Sequence, residues 1–264
     1  MKRILFFLTT FICFSSFIHA FNSTLEIPDT GWRLWLDRNA KWKSDLIYLP
    51  NEFDIKKLVP SAPSNGWEFL NNTNGIPVSL PSTVEEHFWG VEGFRAYKDE
   101  YFYENQDTIV KNGNYLGVSW WWCNVEIPKD IKFKKAILHI RGARLRAEVY
   151  WNRKLVGYNI INEVSFTCDI TEAIRSDETN QLAIRITNPG GRMDWLDTQL
   201  MTWGTTDQRF HKSHGFGGLD RGIFLTFHDD VYFSDLWVLN TPDIKSVSAN
   251  VILNNISDKK IKGI

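Results

Sequence analysis

From Lys135 onward, apolar side chains recur at every second position through one segment after another, the spacing of half-buried β-strands. Ala136, Leu138 and Ile140 share one face of the first. Val149 and Trp151 share a face of the next, and Asn152-Arg153 turns the chain toward Leu155-Val156. Leu182, Ile184 and Ile186 line a third segment, with Ala183, Arg185 and Thr187 opposite. Ile223, Leu225 and Phe227 repeat the rule, and Leu236 with Val238 repeat it again. Helical periodicity is confined to two short stretches, Thr83 to Phe88 and Thr171 to Arg175. Turn residues punctuate the strands at Gly142, Asn188-Pro189-Gly190-Gly191, Gly217-Gly218 and Asp229-Asp230. Many short strands so punctuated predict an all-β sandwich or barrel.

The stretch before residue 110 reads differently. It carries Trp32, Trp35, Trp42, Trp67 and Trp89 with proline-rich loops, and only Gly31 to Leu36 alternates, weakly. The expectation is an aromatic-rich extension, residues 21–110, packed on a sandwich of residues 111–240. Trp120, Trp121 and Trp122 are consecutive on a strand, so the middle indole points away from its neighbours. Core packing is the favoured role for Trp120 and Trp122.

Both chain ends carry signals of their own. Lys2 and Arg3 precede an uncharged run from Ile4 to Ile18, followed by His19-Ala20. That layout is a secretory signal peptide, expected over residues 1–20, and the apolar run is shorter than the ~20 residues needed to span a bilayer. The mature chain is expected to be exported, periplasmic or extracellular, and not membrane-spanning. At the other end, Val247, Ala249, Val251 and Leu253 start a new strand. A polar turn follows, then Ile261. One strand and part of a second cannot bury their own apolar face. Residues 241–264 are therefore expected to begin an incomplete immunoglobulin-like sandwich, a fold of ~100 residues; the alternative is a strand swapped onto, or capping, the main sandwich.

Composition narrows the classes. Hydrophobic residues make up 43%, and 30 basic against 31 acidic groups leave a net charge of −1. A near-neutral chain argues against a nucleic-acid partner. Cys123 and Cys168 allow either a disulfide or, as favoured, two buried free thiols. No Cys/His metal spacing is present; His211 and His214 near Asp207 and Asp220 only mimic a ligand set. No metal and no cofactor are expected.

Several motifs in order carry a family resemblance. Gly117-Val118-Ser119-Trp120-Trp121 is similar to a Gly-x-x-Trp-Tyr opening strand. Glu148 to Tyr158 resembles a "VYVNGKxVGY" hairpin, with Arg153 where that pattern has glycine and a differently shaped turn expected for that reason. Thr167 to Thr171 matches "FDIT", Asn180 to Asn188 matches "NxLAVRVxN", and Gly217 to Ile223 is similar to "GGIxRxVxL". Val78-Ser79-Leu80-Pro81 resembles the entry strand "VxLPH", with Ser82 in place of His. From Gly117 to Asp243 the chain resembles the N-terminal sugar-binding domain of glycoside hydrolase family 2, which includes β-galactosidases, β-glucuronidases and β-mannosidases. The resemblance implies a galactose-binding-domain-like jelly-roll β-sandwich.

It also implies where chemistry sits. Family members hydrolyse glycosides with retention, using two glutamates on a separate β/α barrel and carboxyls ~5–5.5 Å apart. The Asn-Glu pairs here, Asn51-Glu52 and Asn162-Glu163, lie outside any β/α alternation. No catalytic residue is therefore expected, and the chain alone is expected to be inactive. The barrel would lie further along the parent chain. In the resembled family the loop after the "RVxN" strand helps bind the non-reducing sugar, which puts Asn188 forward as a carbohydrate contact. A turn role at Asn188-Pro189 stands beside it. Arg192, Asp194 and Trp195 follow as further lining residues, and Asn114 as a pocket-edge contact, each also readable as ordinary surface loop. Arg221 is expected to pair with a carboxylate beneath the Gly-Gly turn. Three readings remain open: the front portion of an exported glycosidase, a stand-alone carbohydrate-binding module, or, more weakly, a structural sandwich for protein contacts.

Overall fold

The computed structural model describes residues 23–41, 55–88, 94–95, 109–110, 115, 117–144, 146–160, 164–176, 178–188 and 217–260. Strands dominate. The first six are β1 (Ser23–Glu26), β2 (Trp32–Asp37), β3 (Ile76–Val78), β4 (Ser82–Thr83), β5 (Phe94–Arg95) and β6 (Ile109–Val110). Next come β7 (Gly117–Val125), β8 (Lys135–Ile140), β9 (Ala143–Arg144), β10 (Arg146–Trp151), β11 (Lys154–Asn159) and β12 (Phe166–Asp169). The last are β13 (Asn180–Asn188), β14 (Gly218–Leu219), β15 (Phe224–His228), β16 (Val231–Asn240) and β17 (Val247–Asn255). Among the described residues one short α-helix, α1, spans Val84–Phe88, and 3-10 turns span Ile55–Lys57 and Trp67–Phe69.

Two main sheets form a sandwich. One has the order β1-β15-β8-β12 and the other β11-β10-β13-β7-β2-β3. The predicted faces hold: Ala136, Leu138, Ile140, Val149, Trp151, Leu182, Ile184, Ile186, Leu225 and Phe227 meet in one core between the sheets. Each removes apolar surface from water at ~25 cal/mol per Å².

The sheets draw strands from both sides of residue 110. β1 pairs with β15, and β2 lies between β7 and β3, so part of the aromatic preface is woven into the sandwich itself. The rest covers it. Trp121 joins the inter-sheet core, whereas Trp120 and Trp122 face outward and are buried with Leu70, Tyr150 and Ala183 under Trp67 and Phe69. Both faces of β7 and β13 are therefore covered, which is why almost every residue on them is buried.

Three local differences from expectation have physical causes. The turn at Asn152-Arg153 keeps two residues, both at positive φ (49° and 70°), with Trp151 paired to Lys154 across it. Arg153 thus adopts the conformation that glycine takes more readily. Thr171 to Arg175 makes a single turn rather than a helix, closed by the Ile174 N–H on the Ile170 carbonyl at 3.0 Å. The segment with Leu236 and Val238, expected in the sandwich, instead pairs with β17 in a separate two-stranded sheet. Both faces of this hairpin expose apolar side chains, Leu236 at 61% on one and Leu239 at 52% on the other.

Candidate functional site

A polar cluster forms where β13 ends. Asn188, its last residue, lies opposite Gly117, and Thr187 lies opposite Arg146. A small sheet, β4-β14-β9, closes over this end. Gly218 makes the closure possible, because a Cβ there would sit 2.1 Å from the Ser82 carbonyl oxygen. The Val84 N–H donates to the Gly217 carbonyl at 2.7 Å. Ser82, Glu85 and Asn188 are buried here, Asn188 at 2% exposure, whereas Thr187 and its partner Arg146 lie on the opposite face of the sheet, where the Thr187 hydroxyl accepts from Arg185 at 3.0 Å. This end of the sheet therefore carries a buried amide, hydroxyl and carboxyl, groups able to hydrogen-bond hydroxyls.

Glu85 is the unexpected member. The Tyr115 backbone N–H donates to its Oε1 at 2.8 Å, and the Tyr115 hydroxyl donates to the Val118 carbonyl at 3.0 Å. Burial pushes the Glu85 carboxyl up to about 7, with backbone hydrogen bonds from Tyr115, Glu85 itself and Gly217 pulling the other way. It therefore exchanges its proton near neutrality. Glu85 sits in a region read only as a short helix, and its position carried no signal of burial.

A second polar network seats the cover on the outer sheet face. Asp37 accepts the Trp120 indole N–H at 3.0 Å and the Ser64 N–H at 2.9 Å. Glu148 pairs with Arg185 and accepts from the hydroxyls of Tyr150 and Ser61, while the Ser61 N–H donates to the Tyr150 hydroxyl at 2.7 Å. Burial, then the neighbouring Glu148 charge, raises the Tyr150 phenol well above its ordinary range. Asn180 fixes the hairpin: its Oδ1 accepts from Trp151 Nε1 at 3.0 Å, Asn152 Nδ2 at 2.8 Å and the Arg175 N–H at 2.8 Å. Two motif asparagines, Asn152 and Asn180, are thus structural.

Of the residues expected to contact sugar, Asn188 is placed in the buried cluster. Arg192, Asp194, Trp195 and Asn114 lie outside the described residues, as do Asn51-Glu52, Asn162-Glu163, His211 and His214 and the segment 1–20. Arg144 pairs with Asp220 at 3.4 Å, while Arg221 is exposed. Cys123 and Cys168 are buried free thiols. Burial raises both, that of Cys168 to about 12. Among the described residues no helix is long and apolar enough to cross a membrane, and no cluster has the make-up of a metal site.

Comparison with known proteins bears on this arrangement. No protein-family model matches the chain. A β-glucuronidase of Formosa agariphila is 26% identical over 77% of this chain. A β-galactosidase of Thermoanaerobacter pseudethanolicus is 26% identical over 57% of it. A solved β-glucuronidase from glycoside hydrolase family 2 superposes on 89% of the chain with a TM-score of 0.56 at 18% identity, a likeness of fold. The chain carries a glycoside hydrolase family 2-like domain. It spans 19% of the length of each of those two curated relatives and 22% of the solved chain. In the family 2-like domain, the motifs that carried the resemblance are the strands and turns that build the polar end: β7, β10, β13 and the Gly217-Gly218 closure.

Proposed function

We propose that the chain is the N-terminal part of an exported, retaining glycoside hydrolase. In this reading it serves as scaffold and partial sugar pocket, and the catalytic glutamates lie on a barrel further along the parent chain. One observation carries the reading: the chain aligns over 77% of itself with a β-glucuronidase of which it spans 19%. Asn188, at the end of β13, contributes to the pocket rim together with the segment that follows it. The described carboxylates Asp37 and Glu148 are engaged in holding the cover, in keeping with a scaffold role. The basic start, apolar run and small residue before Phe21 support export. Reading the coding DNA past codon 264 tests the proposal: an open frame continuing into a β/α barrel is expected, and a native stop overturns it.

A further inference from the structure

A groove of about 390 Å³ lies along the β2–β3 edge of the six-stranded sheet, lined by residues distinct from the cluster around Asn188. Trp35 of β2 and Phe88 of α1 give it aromatic surface, Ile76 of β3 adds an aliphatic one, and Arg38, Asn39 and Asn65 supply polar groups. Arg38 is the sole ionisable side chain among these lining residues.

Both polar walls are set by Asp37, which is 1% exposed. Its carboxylate holds the Ser64 N–H at 2.9 Å and so fixes the turn that carries Asn65. Its carbonyl accepts the Ala40 N–H at 3.2 Å and closes the turn that carries Arg38 and Asn39. Groups positioned before a ligand arrives do not cost ordering entropy on binding. At Gly75 (φ +67°) a Cβ would lie 2.6 Å from the Leu34 carbonyl oxygen, so the backbone there closes tightly on β2.

Strand register relates the groove to Asn188. Asp37 pairs with Val118, Val118 with Thr187, and Gly117 with Asn188. The C-terminal ends of β2 and β13 therefore leave the sheet on the same rim, two strand spacings or ~10 Å apart.

We propose that this groove binds a short saccharide chain. Aromatic surface suits the C–H face of a pyranose ring, and each carboxamide offers one acceptor and two donors to neighbouring hydroxyls. The volume falls within the ~300–1,000 Å³ of small-ligand sites, which combine apolar walls with few polar groups. The Arg38 guanidinium meets either hydroxyls or a uronate carboxylate. This assignment stands independently of the hydrolase reading, because a non-catalytic chain would use the groove equally well.

The test is isothermal titration of the full chain with short cello-, galacto- and galacturono-oligosaccharides. An Asn39→Ala/Asn65→Ala double variant, a Trp35→Ala variant and Lys154→Ala, which lines a different cavity, are titrated alongside. At least one saccharide is expected to bind, about tenfold more weakly to the double variant, and unchanged to Lys154→Ala. Asn39 and Asn65 are exposed, so the double variant reports on binding even if loss of Trp35 disturbs folding. Preference for the galacturono-oligosaccharide assigns Arg38 to a carboxylate, and preference for a neutral chain assigns it to hydroxyls. Binding of none of the three, or binding undiminished in the double variant, overturns the proposal.

Discussion

The carboxylate of Asp37 accepts the backbone N–H of Ser64 at 2.9 Å across 27 positions of sequence. The same side chain holds the Trp120 indole at 3.0 Å, so one carboxylate joins a strand, its neighbour in the sheet and the cover above both. Asp37→Ala leaves the buried Trp120 indole N–H without an acceptor and releases the Ser64 turn from the strand. Each lost partner costs ~1–3 kcal/mol, and a destabilisation of about 3 kcal/mol is expected in urea unfolding. A loss under about 1 kcal/mol would show that the cover is held by apolar packing alone.

Glu148 and Arg185 form a buried ion pair on adjacent strands. Removing one partner leaves an uncompensated buried charge, worth ~3–5 kcal/mol. Glu148→Leu is therefore expected to be strongly destabilising. Replacing both partners, Glu148→Leu with Arg185→Met, is expected to recover much of the loss, because the two apolar side chains pack where the ions were. A double-mutant cycle reads the coupling directly; additive effects would deny it.

Stability should depend on pH through Glu85. Its carboxyl is raised from 4.5 to about 7 in the folded chain. Below the lower value the group is protonated in both states, and the benefit of keeping it neutral is complete. Between the two the unfolded chain has released a proton that the folded chain still holds, so stability falls as pH rises. The drop amounts to about 3 kcal/mol and levels off above the folded value. Burial lowers His139 and His228, the former further through the charge of the latter, and these act in the opposite sense below the ordinary histidine range. Comparing wild type with Glu85→Gln isolates the carboxyl: between about pH 5 and about pH 8 the fall in stability should be lost in the variant, leaving only the opposite slope of the histidines. An unchanged slope would remove Glu85 from the explanation.

Strand positions were legible where one face meets the core and the other meets solvent. β8 shows this plainly, with Ala136, Leu138 and Ile140 buried between half-buried neighbours. β7 and β13 obeyed a different rule, because the cover buries their second face. There Arg185 and Thr187, on the face opposite Leu182, Ile184 and Ile186, are buried as well. β16 was legible as a strand, but alternation does not name a partner, and it pairs with β17 instead of joining the sandwich. The membership of β1 and β2 in the main sheets rests on pairings between segments distant in sequence, Ser23 with Phe227 and Trp35 with Trp120, which no local pattern encodes. Asn188 was named through its motif, and its burial at the end of β13 is what the structure adds. The buried Glu85, Arg146 and Asp37 were not named, since their burial arises only when distant strands assemble.

Hydrolysis by the purified 264-residue chain is the decisive measurement. Incubated with para-nitrophenyl β-glucuronide and β-galactoside, it is expected, on the proposed reading, to release nitrophenolate no faster than a blank. Release above blank by the chain alone would place a catalytic carboxyl pair within these residues and contradict the scaffold reading.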